Sequence, residues 1–509
     1  MGPGIADTLL ADLSEFVAGK MGLYFTKERL HDLERGLGSA AKEFGFEDKE
    51  TCARWLMSSP LTREQVEILA GHLTVGETYF FREKKTFKTL EWEVLTRLID
   101  FRRGSGRYLR IWSAGCATGE EPYSIAILLG KMIPDLGSWN IFLLATDINP
   151  RFFVKAAKGV YSEWSFRDTP SWVRERYFRK TKGGRFEILH HIKGMVTFEY
   201  HNLAEDAYPS LASNTNAMDV ILCRNVLMYF NPGTQRKVIQ NLYRCLVDSG
   251  WLIVSPSEIS RSLFPEFAAV NFSGATFFRK EMKNCPARET FSPVQSRPAF
   301  GERVEPEPPE YAGTLRSEIK FSEKVPEATV AGTGVKRETK LLPDRYEEAL
   351  SFYEQGCYDE AAAKIELLLS ENQNDSKSMA LLAMTYANQG RLSGALEWSE
   401  KAVSLDKTNP DRHYLLATIL QEQGKIGEAV TSLKRSLYLN QDFALAHFML
   451  GNLMRRQGRV KEADKCFKNA LSLLNKRGRE EILASSEGLT AGRLIEIINS
   501  TSGRTNEYE

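Results

Sequence analysis

The stretch Ile111-Trp112-Ser113-Ala114-Gly115-Cys116-Ala117-Thr118-Gly119-Glu120-Glu121-Pro122-Tyr123-Ser124-Ile125 carries three structural signals in a row. It starts as an apolar strand, with Tyr108, Leu109, Ile111 and Trp112. It breaks into small residues from Ser113 to Gly119, then restarts as a helix with the apolar face Ile125, Ala126, Leu128 and Leu129. A strand, a small-residue turn and a helix N-terminus let backbone N–H groups approach a bound ligand closely. Glycines at 115 and 119 with alanine at 117 depart from the three-glycine dinucleotide pattern, and the carboxylates of Glu120 and Glu121 repel a pyrophosphate. The turn therefore suits a nucleoside ligand without phosphates, for which S-adenosylmethionine is the candidate. Taken alone, the loop also reads as an ordinary strand-to-helix turn of an α/β domain.

Outward from this stretch, residues 85–283 alternate strand and helix. Strands are expected at 108–113, 140–146, 195–200, 218–223 and 250–255, with helices near 120–131, 150–158 and 233–247. Apolar strands separated by helices indicate a parallel sheet covered on both faces. Ala275 to Arg279 supplies a late antiparallel strand. Residues 1–84 read as a small helical domain, with Leu30, Leu33 and Leu37 on one helix and Val66, Ile68, Leu69 and Leu73 on another that opens at Thr62. Residues 284–339 hold prolines among Glu, Ser, Arg and Lys with few aliphatics, a composition that buries no core and reads as a disordered linker.

From 340 to 475 the chain repeats. Glycines at 356, 390, 424 and 458 share a 34-residue spacing, and alanines at 361, 395, 429 and 463 keep the register five residues later. This is the tetratricopeptide period; each helix pair buries its face only against its neighbours, so four units stack into a curved solenoid with a concave binding surface. Residues 476–509 add a capping helix (Leu494, Ile495, Ile497, Ile498) and a tail.

The 509 residues carry a net charge of +1, which marks neither a nucleic-acid binder nor an acidic tail. No apolar run is long enough to span a bilayer, so no direct membrane insertion is expected. Seven cysteines without CxxC spacing point to a reducing cytoplasm, and neither they nor the seven histidines form a metal-ligand pattern.

Further candidates surround the turn. Asp147 ends the second strand, where an acid accepts hydrogen bonds from ribose hydroxyls; it also reads as a helix N-cap. Arg224 and Asn225 follow the fourth strand at the ligand-binding edge, and Tyr229 points toward the cleft from the next turn; strand capping and core filling are the alternatives. Thr78-Tyr79-Phe80-Phe81-Arg82-Glu83 reads either as a connection draped over the cleft, with Arg82 bringing a fixed positive charge, or as interdomain packing. Asn202 and Leu203 leave the third strand, placed to hold an adenine ring.

Together these blocks, with Ser257-Glu258, resemble the CheR family of chemoreceptor glutamate O-methyltransferases over residues 10–283. The resemblance implies an α/β class I methyltransferase fold (Rossmann-like), preceded by the helical domain and carrying a small β-subdomain. It implies S-adenosylmethionine contacts from Thr78, Arg82, Glu121, Asp147, Asn202, Leu203 and Arg224, with Asn225 beside them, and places Arg82 and Tyr229 nearest the reacting centre. Its product is a glutamyl γ-methyl ester on the cytoplasmic helices of a methyl-accepting chemoreceptor. The early helix is less basic than such a receptor reader requires, because Glu28, Asp32 and Glu34 offset Lys27, Arg29 and Arg35, so steering to acidic helices is expected to be weak. Gly76 stands where the family often has asparagine. Arg179 to Arg185 reads as a compact β-subdomain segment, not expected to tether a receptor tail. The repeats are expected to recruit a protein or peptide, with a linker of about 55 residues setting their reach. A non-catalytic repeat scaffold whose methyltransferase domain only senses S-adenosylmethionine is the alternative, and methylation of a small molecule or nucleic acid a remoter one.

Overall fold

The structure, a computed structural model, describes residues 5–104, 106–204, 208–211, 213–260, 262–281, 342–486 and 488–502. The expected linker at 284–339 lies outside them.

The chain opens with four helices, α1 (Asp7–Met21), α2 (Leu30–Glu43), α3 (Lys49–Met57) and α4 (Arg63–Leu73). Leu33, Gly36, Leu37, Ala40 and Ala41 form one buried stripe of α2, as its helical spacing requires. Thr62 starts α4 through a reciprocal capping box with Gln65. A connection then leads into α5 (Lys84–Thr89) and α6 (Thr96–Arg103), joined through a π-helical turn.

The sheet domain runs β1 (Tyr108–Ala114), α7 (Glu120–Met132), β2 (Asn140–Asp147), α8 (Pro150–Lys158), β3 (Val160–Tyr161), α9 (Ser171–Tyr177), β4 (Phe178–Lys180), β5 (Phe186–Ile188), α10 (His190–Lys193), β6 (Val196–Tyr200), β7 (Met218–Leu222), α11 (Pro232–Cys245), β8 (Leu246–Ile253), β9 (Phe267–Phe272) and β10 (Ala275–Lys280). Seven strands form one sheet in the order β6-β2-β1-β7-β8-β10-β9. The first five are parallel and β10 is antiparallel to both neighbours. Strands β3, β5 and β4 make the small separate sheet.

Two features depart from the sequence reading. The last parallel strand begins at Leu246 instead of 250, because α11 stops at Cys245 and a register irregularity opposite Met218 to Val220 absorbs the polar Asp248-Ser249-Gly250. Strand β9 was not expected: it is the sheet's edge and alternate residues face solvent, so its apolar pattern is thin.

The C-terminal half is four helix pairs, α12 (Leu342–Glu354) with α13 (Tyr358–Glu371), α14 (Ser376–Asn388) with α15 (Leu392–Leu405), α16 (Pro410–Glu422) with α17 (Ile426–Leu439), and α18 (Ala444–Arg456) with α19 (Val460–Leu474), followed by α20 (Ala491–Ser502). All four repeat glycines adopt positive φ, between 72° and 77°, at the turn within each pair. The four repeat alanines are fully buried where the paired helices meet. Leu494 and Ile498 of α20 close the apolar cluster at the end of the stack.

Candidate functional site

Sheet topology places the site. Strands β1, β2, β6 and β7 end on one edge, and the chain leaves each toward the same crevice, where open α/β sheets bind ligands. The β1–α7 turn is shaped by its glycines. Gly115 (φ +83°) would bring a Cβ to 2.3 Å from Val226 Cγ2, and Gly119 (φ +93°) to 2.9 Å from Ala156 Cβ. Not all the turn's N–H groups are offered to a ligand, however. Those of Gly115 and Cys116 donate to the Thr146 carbonyl, and that of Ala117 donates to Asp147 Oδ2 at 2.9 Å. The small residues thus serve close approach more than donation.

Asp147 is nine-tenths buried, and its Oδ1 accepts the Asn149 N–H at 2.9 Å. Burial pushes its carboxyl up to about 6, against the backbone hydrogen bonds that favour the charged form. The helix cap expected as its alternative role belongs to Asn149, whose Oδ1 accepts the Arg151 N–H at 3.0 Å.

Asp147, Asn202, Leu203, Asn225 and Tyr229 come together around one open cleft. The N-terminal helices close its other side with Met21, Leu23, Leu73, Thr74 and Val75. They are tied down by hydrogen bonds: Asn202 Nδ2 donates to the Lys20 carbonyl at 2.9 Å, the Tyr24 N–H to the Tyr229 carbonyl at 2.8 Å, and Asn149 Nδ2 to Thr74 Oγ1 at 2.9 Å. The Arg29 guanidinium lies 5.4 Å from the Tyr229 ring centre.

Thr78, Arg82, Glu121 and Arg224 do not line this cleft. Three of them form an adjoining buried network. Arg224 Nη1 donates to Glu121 Oε2 at 2.7 Å, and its Nη2 donates to the Arg82 carbonyl at 2.7 Å and meets Glu83 Oε2 at 3.0 Å. Burial disfavours the Arg224 charge, but Glu121 and Glu83 outweigh that, so its pKa rises. Glu121 also accepts from Ser113 Oγ at 2.8 Å, which links the network to the end of β1. The Arg82 side chain donates to the Glu77 carbonyl at 2.7 Å. Thr78 opens the segment whose Phe80 and Phe81 are buried, Phe80 among Tyr161, Phe166 and Phe178. Packing thus accounts for these two aromatics.

Two further contributors had no site role assigned from sequence. Glu258 accepts the N–H groups of Asn225 at 2.8 Å, Val226 at 2.8 Å and Met228 at 3.2 Å, and so moulds the loop that carries Asn225 and Tyr229. Its signal was the Ser255-x-x-Glu258 capping box. The second is Phe152, which lines the cleft with its ring 2.7 Å from where a Gly76 Cβ would stand. Glycine at 76 and phenylalanine at 152 are therefore a matched pair, and no local pattern announces it.

Residues 76–272 match the family described as CheR methyltransferase, SAM binding domain. The chain is 30% identical over 282 residues to Chemotaxis protein methyltransferase 2 of Vibrio cholerae, covering 55% of this chain and 95% of that one. It is 34% identical over 242 residues to a probable chemotaxis protein methyltransferase of Rhizobium etli, covering 47% and 84%. The chain belongs to the CheR methyltransferase family. It is an S-adenosylmethionine-dependent protein-glutamate methyltransferase. Similarity extends to the probable biofilm formation methyltransferase WspC of Pseudomonas aeruginosa, 32% identical over 228 residues, covering 45% of this chain and 51% of that one. Behind the CheR domain, residues 354–436 match the family described as Anaphase-promoting complex, cyclosome, subunit 3, and residues 444–476 match Tetratricopeptide repeat. Among the described residues, no helix is long and apolar enough to cross a membrane.

Proposed function

We propose that this CheR-family enzyme methylates glutamate side chains on the cytoplasmic helices of a methyl-accepting chemoreceptor-type protein, in the cytoplasm, as a step of a chemosensory pathway. The carrying observation is the convergence of Asp147, Asn202, Leu203, Asn225 and Tyr229 on one cleft roofed by apolar residues of the N-terminal helices. The donor set fits S-adenosylmethionine: a buried carboxylate for ribose hydroxyls, an amide and leucine for adenine, and no phosphate-binding cation among the lining residues. When bound, S-adenosylmethionine supplies a methyl group already activated on its sulfonium.

This chain's residues then have modest chemical duties. An acceptor glutamate is ionised at neutral pH, so no general base has to act on it. What remains is alignment and exclusion of water. Tyr229 orients the acceptor carboxylate through its hydroxyl. Arg82 attracts it by charge once released from the Glu77 carbonyl, while Arg224 keeps the Arg82 backbone beside Glu121 and Glu83. The thiols of Cys116 and Cys223 are pushed far up by burial, which makes both unreactive. The repeats engage a protein of the same signalling assembly.

Incubating the full chain with methyl-labelled S-adenosylmethionine and the receptor's cytoplasmic domain tests this reading. Label that is released by mild base as methanol is expected. A receptor that binds the chain yet gains no base-labile label overturns it.

A further inference from the structure

The repeat array sits directly against the sheet domain. Three of its four turn glycines press on it: a Cβ on Gly356 would lie 2.8 Å from Arg244 Nε, on Gly390 2.9 Å from Val247 Cγ1, and on Gly424 3.2 Å from Asn140 Nδ2. Nothing lies within 4 Å of that position on Gly458. Hydrogen bonds follow the same line. Arg244 Nη2 donates to the Glu354 carbonyl at 2.7 Å, the Tyr108 hydroxyl to the Gly390 carbonyl at 3.0 Å, and Asn140 Nδ2 to the Glu422 carbonyl at 2.8 Å. The expected tether, in which linker length sets the reach, is thereby replaced by a fixed seat.

The seat holds one particular stretch of the enzyme domain. Leu211, between β6 and β7, is buried in the array's own apolar cluster with residues such as Tyr353, Leu415 and Ile419. Beside it, Asn216 Nδ2 donates to Glu422 Oε1 at 3.0 Å and Gln421 Nε2 donates to Asn214 Oδ1 at 3.1 Å. Arg110 of β1 grips the stretch from the other side through the carbonyls of Asn214 at 2.9 Å and Asn216 at 3.2 Å. The same stretch reaches the cleft, because the Tyr208 hydroxyl donates to the Leu203 carbonyl at 2.8 Å and the Tyr208 ring meets His201 edge-on at 4.8 Å. His201, Asn202 and Leu203 all line the cleft. One residue earlier, the Tyr200 ring packs with the guanidiniums of Arg63 from α4 at 4.4 Å and Arg493 from α20 at 4.7 Å. Helical domain, sheet and array therefore meet at the end of β6.

We propose that the array's hold on a segment of its own chain, residues 208–211 and 213–217, sets how tightly the cleft binds S-adenosylmethionine. This rests on the reading of the cleft as the S-adenosylmethionine site. The physical basis is pre-organisation: Tyr208 is one of the groups that hold the backbone carrying Asn202 and Leu203, and it belongs to the stretch held through Leu211 and Asn216.

Two full-length variants test it. Leu211→Asp puts a charge into the apolar cluster, and Asn140→Arg crowds Gly424 from the enzyme side without touching the stretch. Small-angle X-ray scattering reads release of the array, and calorimetric titration with S-adenosylmethionine reads the cleft. In both variants an enlarged radius of gyration with binding weakened about fivefold or more is expected. Should Leu211→Asp fail to fold, Asn140→Arg carries the test. Release of the array with affinity within about twofold of the parent overturns the coupling, and an array that stays seated in both variants overturns the assigned contacts. A parent chain that binds no S-adenosylmethionine at all overturns the cofactor reading instead, a result distinct from either.

Discussion

Burial conditions the ligand contact proposed for Asp147. Its charged form accepts ribose hydroxyls far more strongly than the neutral acid, and burial pushes its carboxyl up to about 6. Affinity for S-adenosylmethionine should therefore be level above pH 7 and fall as pH drops through 6. The weakening is about tenfold by pH 5 in calorimetric titrations; flat affinity from pH 7.5 to 5 would remove Asp147 from the contact. Position 76 offers a second test. An asparagine there drives a side chain into the Phe152 ring, and overpacking of this kind costs about 1–3 kcal/mol. Gly76→Asn should weaken binding about tenfold, and adding Phe152→Ala should restore most of it, as a coupled pair requires. Additive losses would show that the two side chains do not share the space. Asp147 could be picked out because it ends β2, Asn202 and Asn225 because they follow β6 and β7, and Tyr229 because it lies in the turn beyond β7. Met21, Leu73 and Phe152 could not be, since apolar residues arriving from other elements leave no local mark.

Among the elements, the loop after β7 depends most on one distant side chain. Glu258 satisfies three of its N–H groups while staying buried. Leaving such donors without an acceptor costs about 1–3 kcal/mol each. Glu258→Ala should lower unfolding free energy by roughly 3 kcal/mol in urea titrations and weaken S-adenosylmethionine binding in parallel. A variant as stable as the parent would show that water or a neighbouring group replaces the carboxylate. The parallel strands and their helices could be read from apolar runs broken by small or polar residues, and the repeat from glycines in fixed register. Edge strand β9 escaped because half of it faces water. The early start of β8 escaped because Asp248, Ser249 and Gly250 look like a turn and instead form an irregularity within the strand.

At the scale of the whole molecule, the helical domain and the repeat array both bear on the end of β6. The helical domain reaches it through Arg63 and the Asn202–Lys20 hydrogen bond, and the array through Arg493 and the stretch around Leu211. No local sequence pattern encodes that meeting, which joins residues as far apart as Lys20 and Arg493 by non-local packing. The early helix expected to steer only weakly also uses its charges internally: Asp32 pairs with Arg29 and Arg35, and Glu34 with Lys49. Under the proposed function, recognition of the acceptor then rests more on the cleft than on long-range attraction. Tandem mass spectrometry of a chemoreceptor cytoplasmic domain, after incubation with the full chain and S-adenosylmethionine, bears most directly on that cleft. Methyl esters confined to glutamate side chains, and lost in Tyr229→Ala and Arg82→Ala variants that still fold, are the predicted result. Methylation of another residue type, or ester formation undiminished in both variants, would contradict it.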